Sequence, residues 1–235
     1  MAENEETEIK KRYERRESAG ISGRYSPFNP AYRFFSHDAE EGLLSVLSRH
    51  GITDLSDSRI LDVGCGRGDW LRKMVSYGAR PDNLHGVELM EKFVEQGRPL
   101  MPPGVTLQAG SAERLDYPDG HFDIVMQFMM FTSILDSGLK ERIAAEMLRV
   151  TRPGGAIIWY DFRYDNPRNP DVKGIGKAEV RELFKGCDAD FVSVILAPPL
   201  IRAFIRIPAV CRILRAVPFL RSHLIAFIKK QQTVA

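Results

Sequence analysis

The sequence of 235 residues predicts an α/β fold, doubly wound around a mostly parallel sheet of seven strands. Three observations carry that prediction. Short apolar, β-branched runs alternate with amphipathic stretches of helical period, the pattern of strands joined by helical crossovers. A glycine-rich turn, Gly64-Cys65-Gly66-Arg67-Gly68, follows the first of these runs directly. At 44% hydrophobic and 27% charged residues, the chain has material for one compact domain with an elaboration.

The elements follow in order. Residues 3–17 interleave six acids with five bases, which supports a solvated helix held by charge pairs one turn apart. Its apolar residues, Ile9 and Tyr13, share one face. After a turn-rich stretch from Ser18 to Pro30, a second helix near Tyr32–His50 offers Leu43, Leu44, Val46 and Leu47 as its buried stripe. Strands are then expected at Ile60–Val63, Asn83–Glu88, Val105–Ala109, Phe122–Phe128, Ala156–Asp161 and Phe191–Leu196. Helices are expected at Trp70–Tyr77, Phe93–Leu100, Leu139–Val150 and Lys177–Lys185, with Arg152-Pro153-Gly154-Gly155 as a turn. Pro198–Ser222 reads as two short helices punctuated by proline, inserted before a last, antiparallel strand at His223–Lys229.

Charge is unevenly spread. From Phe191 to the end there are five arginines and two lysines and no acid, so this stretch carries +7 and the remainder −5 of a net +2. A basic, apolar segment on an acidic body points to an anionic or apolar contact. Three cysteines, Cys65, Cys187 and Cys211, have no CxxC spacing, which excludes a disulfide framework or a thiolate zinc site as organising principle. The histidines show no ligand spacing either, so no metal site is expected. The charged first residues lack an apolar signal core and no uncharged run is long enough to span a bilayer, so the expectation is a cytoplasmic protein.

In a doubly wound sheet, ligands bind beyond the carboxyl ends of the strands, next to the loop after the first strand. Gly64 and Gly66 let backbone approach a ligand there. Glu88, ending the second strand, is placed to accept the two hydroxyls of a ribose. A dinucleotide pyrophosphate suits the loop poorly, because Asp69 stands at the helix start and its charge would oppose phosphate. Asp62, inside the strand, adds negative charge that suits a cationic nucleoside carrying an ammonium and a sulfonium.

Asp62-Val63-Gly64-Cys65-Gly66-Arg67-Gly68 resembles the first motif of class I S-adenosylmethionine-dependent methyltransferases. Glu88, Ala109-Gly110-Ser111-Ala112-Glu113, Phe122-Asp123-Ile124-Val125 and Arg152-Pro153-Gly154-Gly155 follow in that family's order. The resemblance spans about residues 58–197 and implies a Rossmann-like core at 58–197, with a helical lid or cap at 1–57, a helical insertion at 198–222 and the last strand and tail at 223–235. It implies S-adenosyl-L-methionine as cofactor, with S-adenosyl-L-homocysteine as product. Asp62 and the backbone of Gly64, Cys65 and Gly66 would hold the methionine part, Glu88 the ribose, and Met90, Ser111 and Ala112 the adenine. Gln127 and Phe128 would line the methionine end. Ser111 departs from the aspartate common at its place, although a hydroxyl still pairs with the adenine amine.

Methyl transfer requires a positioned acceptor and, for a hydroxyl, a group that takes its proton. His37, in the region before the first strand, and Asp161, at the end of the fifth, are the catalytic candidates. The expected reaction is O-methylation of a small molecule such as a sugar or secondary metabolite. N-methylation of an amine or peptide, and a cofactor-binding subunit without turnover, are the alternatives. No specific nucleic-acid partner is expected, and a homodimer is compatible with the sequence. For residues 198–222, packing over the sheet edge or a partner ranks first, a substrate-covering cap second, and peripheral membrane contact last.

Overall fold

The computed structural model describes residues 2–18, 26–166 and 169–232. Most of the expected turn-rich stretch, residues 19–25, therefore lies outside the described residues, as do Pro167 and Arg168. Seven strands form one sheet: β1 (Ile60–Val63), β2 (Leu84–Glu88), β3 (Thr106–Ala109), β4 (Phe122–Phe128), β5 (Thr151–Phe162), β6 (Asp188–Leu196) and β7 (Arg221–Lys229), in the order β3-β2-β1-β4-β5-β7-β6. The pairs among β1 to β5 are parallel, while β7 runs antiparallel to both β5 and β6. The expected mostly parallel sheet of seven strands is thus present, its last strand inserted antiparallel.

Eight α-helices accompany the sheet among the described residues: α1 (Ala2–Ser18), α2 (Pro30–Arg49), α3 (Asp69–Ser76), α4 (Glu91–Gly97), α5 (Ser137–Val150), α6 (Lys177–Leu183), α7 (Pro198–Phe204) and α8 (Pro208–Arg215). Asn29 starts α2 by accepting the Ala31 N–H at 3.0 Å, with Pro30 in the first turn where its missing donor costs nothing. Asp136 caps α5 by accepting the Leu139 N–H at 2.6 Å. None of these helices is long and apolar enough to cross a membrane.

Alternation along each strand sends side chains to two apolar layers. Ile60, Ile124, Met126, Ile158 and Tyr160 face a layer with Leu43, Val46 and Leu47 of α2, Leu71 and Met74 of α3, Ile201 of α7 and Cys211 of α8. Leu61, Val125, Ile157 and Trp159 face the other, with Ile143 and Met147 of α5, Val180 of α6 and Ile9 of α1. Burying both faces with large side chains, among them the fully buried Trp159, Phe122 and Phe131, is what holds the sheet rigid enough to aim its strand ends.

Of the boundaries that differ from the expectation, three have a physical cause in the chain's own pairing or capping. α4 begins at Glu91 and passes into a 3-10 turn over Arg98–Leu100, because Pro99 has no N–H to continue the helix. The expected turn Arg152–Gly155 lies inside β5, as the bulge between Thr151, paired with Phe122, and Ala156, paired with Ile124. A Cβ at Gly155 would lie 2.8 Å from the carbonyl oxygen of Asp123, so glycine permits that close approach. β6 starts three residues earlier than expected, at Asp188, pairing with Lys229.

Candidate functional site

The carboxyl ends of β1, β2, β4 and β5 bring the expected residues to one edge of the sheet. Asp62 is 1% exposed at the end of β1, and its Oδ1 has no hydrogen-bond partner among the described residues. Burial, with Glu88 and Asp69 nearby, holds its carboxyl well above the ordinary aspartate range. A buried carboxyl with an unmet oxygen among like charges is the environment in which a cationic group is stabilised on arrival. Among the described residues no cationic side chain pairs with it.

Glu88 lies beside it, its Oε1 accepting from the Met90 N–H at 2.9 Å and its Oε2 from the Gly66 N–H at 2.9 Å. Burial raises its pKa against those backbone hydrogen bonds, which pull it down. The loop between them is left-handed at Gly64 (φ 74°) and Gly66 (φ 56°). A Cβ at Gly64 would strike Met130, but at Gly66 it would meet nothing within 4 Å. Gly66 thus borders open space while its N–H is held by Glu88. Cys65 is buried and its thiol pushed up by burial and by Asp62, which makes it unreactive. Met90 is 6% exposed at the start of α4.

Further along the edge, Gln127 is fully buried with both ends spent on backbone: Nε2 donates to the Tyr160 carbonyl at 3.3 Å and Oε1 accepts the Met130 N–H at 3.1 Å. It shapes the loop after β4, where Met129 takes a left-handed φ of 62°. Phe128 stacks on Trp70 with centroids 4.0 Å apart, and Tyr160 stacks on His223 at 5.4 Å. The Tyr160 hydroxyl is buried without a hydrogen-bond partner among the described residues. Burial depresses His223 to a pKa of about 3, so its ring is neutral.

Asp161 is fully buried, and its oxygens accept from the Thr132 N–H at 3.1 Å and from the Thr132 hydroxyl. Burial raises its pKa to about 7 against those hydrogen bonds. In this arrangement it anchors the Phe131–Ser133 turn. His37 is exposed on α2 and has no hydrogen-bond partner among the described residues. No group of three metal-ligating side chains occurs among the described residues.

The helix α1 was expected, but sequence reasoning missed what its charges reach. Among the described residues, Lys11–Glu8 and Arg12–Glu5 are charge pairs within the helix, while most of its charges also reach across the strand ends. Glu17 pairs with Arg67 after β1 and with Lys92 after β2, and Glu6 accepts from the Ser111 hydroxyl after β3. Arg12 donates to the Ser133 carbonyl at 3.2 Å after β4, while Arg15 pairs with Asp171 after β5 at 2.9 Å. Tyr13 lies against Phe93, its hydroxyl 3.5 Å from the Ser133 hydroxyl and its own pKa raised by burial and by Glu88. The helix is therefore a strap over the whole site edge, and Ser111, expected at the adenine, is met by Glu6. Ala112 is half-buried beside it.

Residues 60–155 match the family model of the methyltransferase domain. Over that segment the chain is similar to methyltransferase domains, in line with the resemblance of its motifs to class I S-adenosylmethionine-dependent methyltransferases. Over 127 residues the chain is 32% identical to the 2-methyl-6-phytyl-1,4-hydroquinone methyltransferase of a Synechocystis species, covering 53% of this chain and 38% of that protein. It is 30% identical to a probable chloroplastic tocopherol O-methyltransferase of Oryza sativa, covering 57% and 36%. The chain thus spans less than half the length of these curated relatives. A methyltransferase structure from Mesorhizobium loti shares the fold with a TM-score of 0.58 at 16% identity, covering 80% of this chain and 97% of that one. The cofactor of this domain family is S-adenosylmethionine, and the unmet Asp62 oxygen, the Glu88 carboxylate and the open space at Gly66 suit its ammonium, ribose and methionine backbone.

Proposed function

We propose that the protein transfers a methyl group from S-adenosylmethionine to an oxygen of a small-molecule acceptor. The observation that carries this reading is the buried, unpartnered carboxyl oxygen of Asp62 facing the Gly64–Gly66 loop, with Glu88 at the end of the neighbouring strand. Bound there, the cofactor supplies an activated methyl carbon, and the chain has to orient an acceptor against it and exclude water. Asp62 and the Gly64, Cys65 and Gly66 backbone hold the methionine part, Glu88 the ribose, and Met90, Ser111 and Ala112 the adenine.

Trp70, Phe128, Tyr160 and His223 form an aromatic wall on the side where β4 and β5 end. The half-buried Trp70 ring over this cluster favours a flat, largely apolar acceptor. The curated relatives named above, a hydroquinone methyltransferase and a tocopherol O-methyltransferase, agree with this acceptor class. Asp161 acts as a positioning residue through Thr132, and His37 is the candidate proton acceptor. α1 and α2 together act as the lid, which α1 closes through its contacts with all five loops.

Incubation with methyl-labelled S-adenosylmethionine and a set of phenols and hydroquinones tests the reading. Label on a phenolic oxygen supports it, and labelled amines alone would move the reaction to nitrogen. Asp161→Asn should keep cofactor affinity while lowering kcat about tenfold or more through a displaced Thr132 turn; His37→Ala should lower kcat about 10²-fold if it takes the proton.

A further inference from the structure

The basic segment after β6 is not absorbed by the site. α7, α8 and the 3-10 turn Pro218–Leu220 pack on one another, and Ile201 and Cys211 lock them onto the α2 side of the sheet. Arg215 is held by Asp38 of α2 at 2.6 Å and Glu41 at 2.7 Å. The outward side is different. Ile213 is 69% exposed, Phe219 71% and Ile207 56%, with Phe204 also exposed. Arg202, Arg206 and Arg212 stand exposed among them and form no ion pair among the described residues.

We propose that this surface docks on an anionic lipid bilayer. Exposed large aliphatic and aromatic tips cost free energy in water and gain it at a headgroup boundary, and arginines interspersed among them gain from anionic lipid. No acid occurs from Phe191 to the end of the chain, so nothing in this segment repels such a surface. Each helix alone is short. Packing makes them one preformed patch, so little ordering entropy is lost on docking.

The patch also stands at the site edge. β7 starts beside the end of β5, with His223 paired to Phe162, and the Tyr164 hydroxyl donates to the Phe219 carbonyl at 3.2 Å. A bilayer bound to α7 and α8 therefore lies next to the loop after β5. This docking goes beyond the methyl-transfer reading and does not depend on it.

Co-sedimentation of the full chain with vesicles tests it, comparing pure phosphatidylcholine with a mixture containing one third phosphatidylglycerol. The expected result is partition into the anionic vesicles, weakened by salt. The triple variant Arg202→Ala/Arg206→Ala/Arg212→Ala should weaken it by about fivefold per arginine. Ile213→Ser/Phe219→Ser should weaken it too, with circular dichroism confirming an unchanged fold. No partition at low salt, or equal partition by all variants, overturns the proposal. A concentration-dependent dimer that Ile213→Ser dissolves, without vesicle binding, overturns it in favour of a second copy as the occupant.

Discussion

The Oε2 of Glu88 accepts the backbone N–H of Gly66 at 2.9 Å, which ties the end of β2 to the turn after β1. The carboxylate proposed for the ribose is thus also the brace of the loop beside it. Glu88→Ala removes both, leaving the Gly66 and Met90 donors without their acceptor. Affinity for S-adenosylhomocysteine should fall by about 2 to 4 kcal/mol, and stability to denaturant by about 1 to 2 kcal/mol. Titration calorimetry and urea unfolding on the same variant check the pair of values.

Asp62 and Glu88 are both held above their ordinary pKa by burial. An ammonium and a ribose prefer the ionised forms, so binding expels protons, and affinity should rise with pH across the window above the ordinary carboxylate range. Calorimetry in buffers of different ionisation enthalpy should show proton release. Asp62→Asn should lessen that release and flatten the pH dependence; an unchanged release would separate Asp62 from the ligand.

The glycines of the loop should fail in different ways. Gly64→Val drives its side chain into Met130 at a left-handed φ, so it should lower the melting temperature. Gly66→Val meets no protein atom from its Cβ, so beyond the φ penalty of about 1 kcal/mol its main effect should be lost cofactor binding. Thermal melts with and without S-adenosylhomocysteine distinguish the two.

His223 is buried and its folded pKa of about 3 lies below the ordinary 6.5. The unfolded chain takes a proton there first as pH falls, so stability is full above about 6.5 and is lost toward 3 by about 1.4 kcal/mol per pH unit. His223→Phe keeps an aromatic ring against Tyr160 and Phe35 without the titration. Relative to that variant, the wild type should lose about 2 kcal/mol between pH 6.5 and pH 5 in denaturant unfolding.

The sheet was legible because the signals are local: Ile60–Val63 and Phe122–Phe128 are apolar runs bounded by turn residues, and the expected limits match β1 and β4. Contacts between distant residues were not legible. The charges of residues 3–17 satisfy a solvated helix as well as a strap, and nothing near Glu6 reveals Ser111, 105 residues away. Thr132 has no motif either; its role follows only from β5 bringing Asp161 beside the turn after β4. The Arg152–Gly155 turn signal was real: these residues bulge out between Thr151, paired with Phe122, and Ala156, paired with Ile124, with Gly154 left-handed at φ 74°.

The central claim is that Asp62, the Gly64–Gly66 loop and Glu88 form an S-adenosylmethionine site. Calorimetric titration of the intact chain with S-adenosylhomocysteine tests it most directly. One molecule should bind per chain, with the affinity reduced in Glu88→Ala and in Asp62→Asn. A folded chain that binds none, or binds it equally in both variants, would contradict the account.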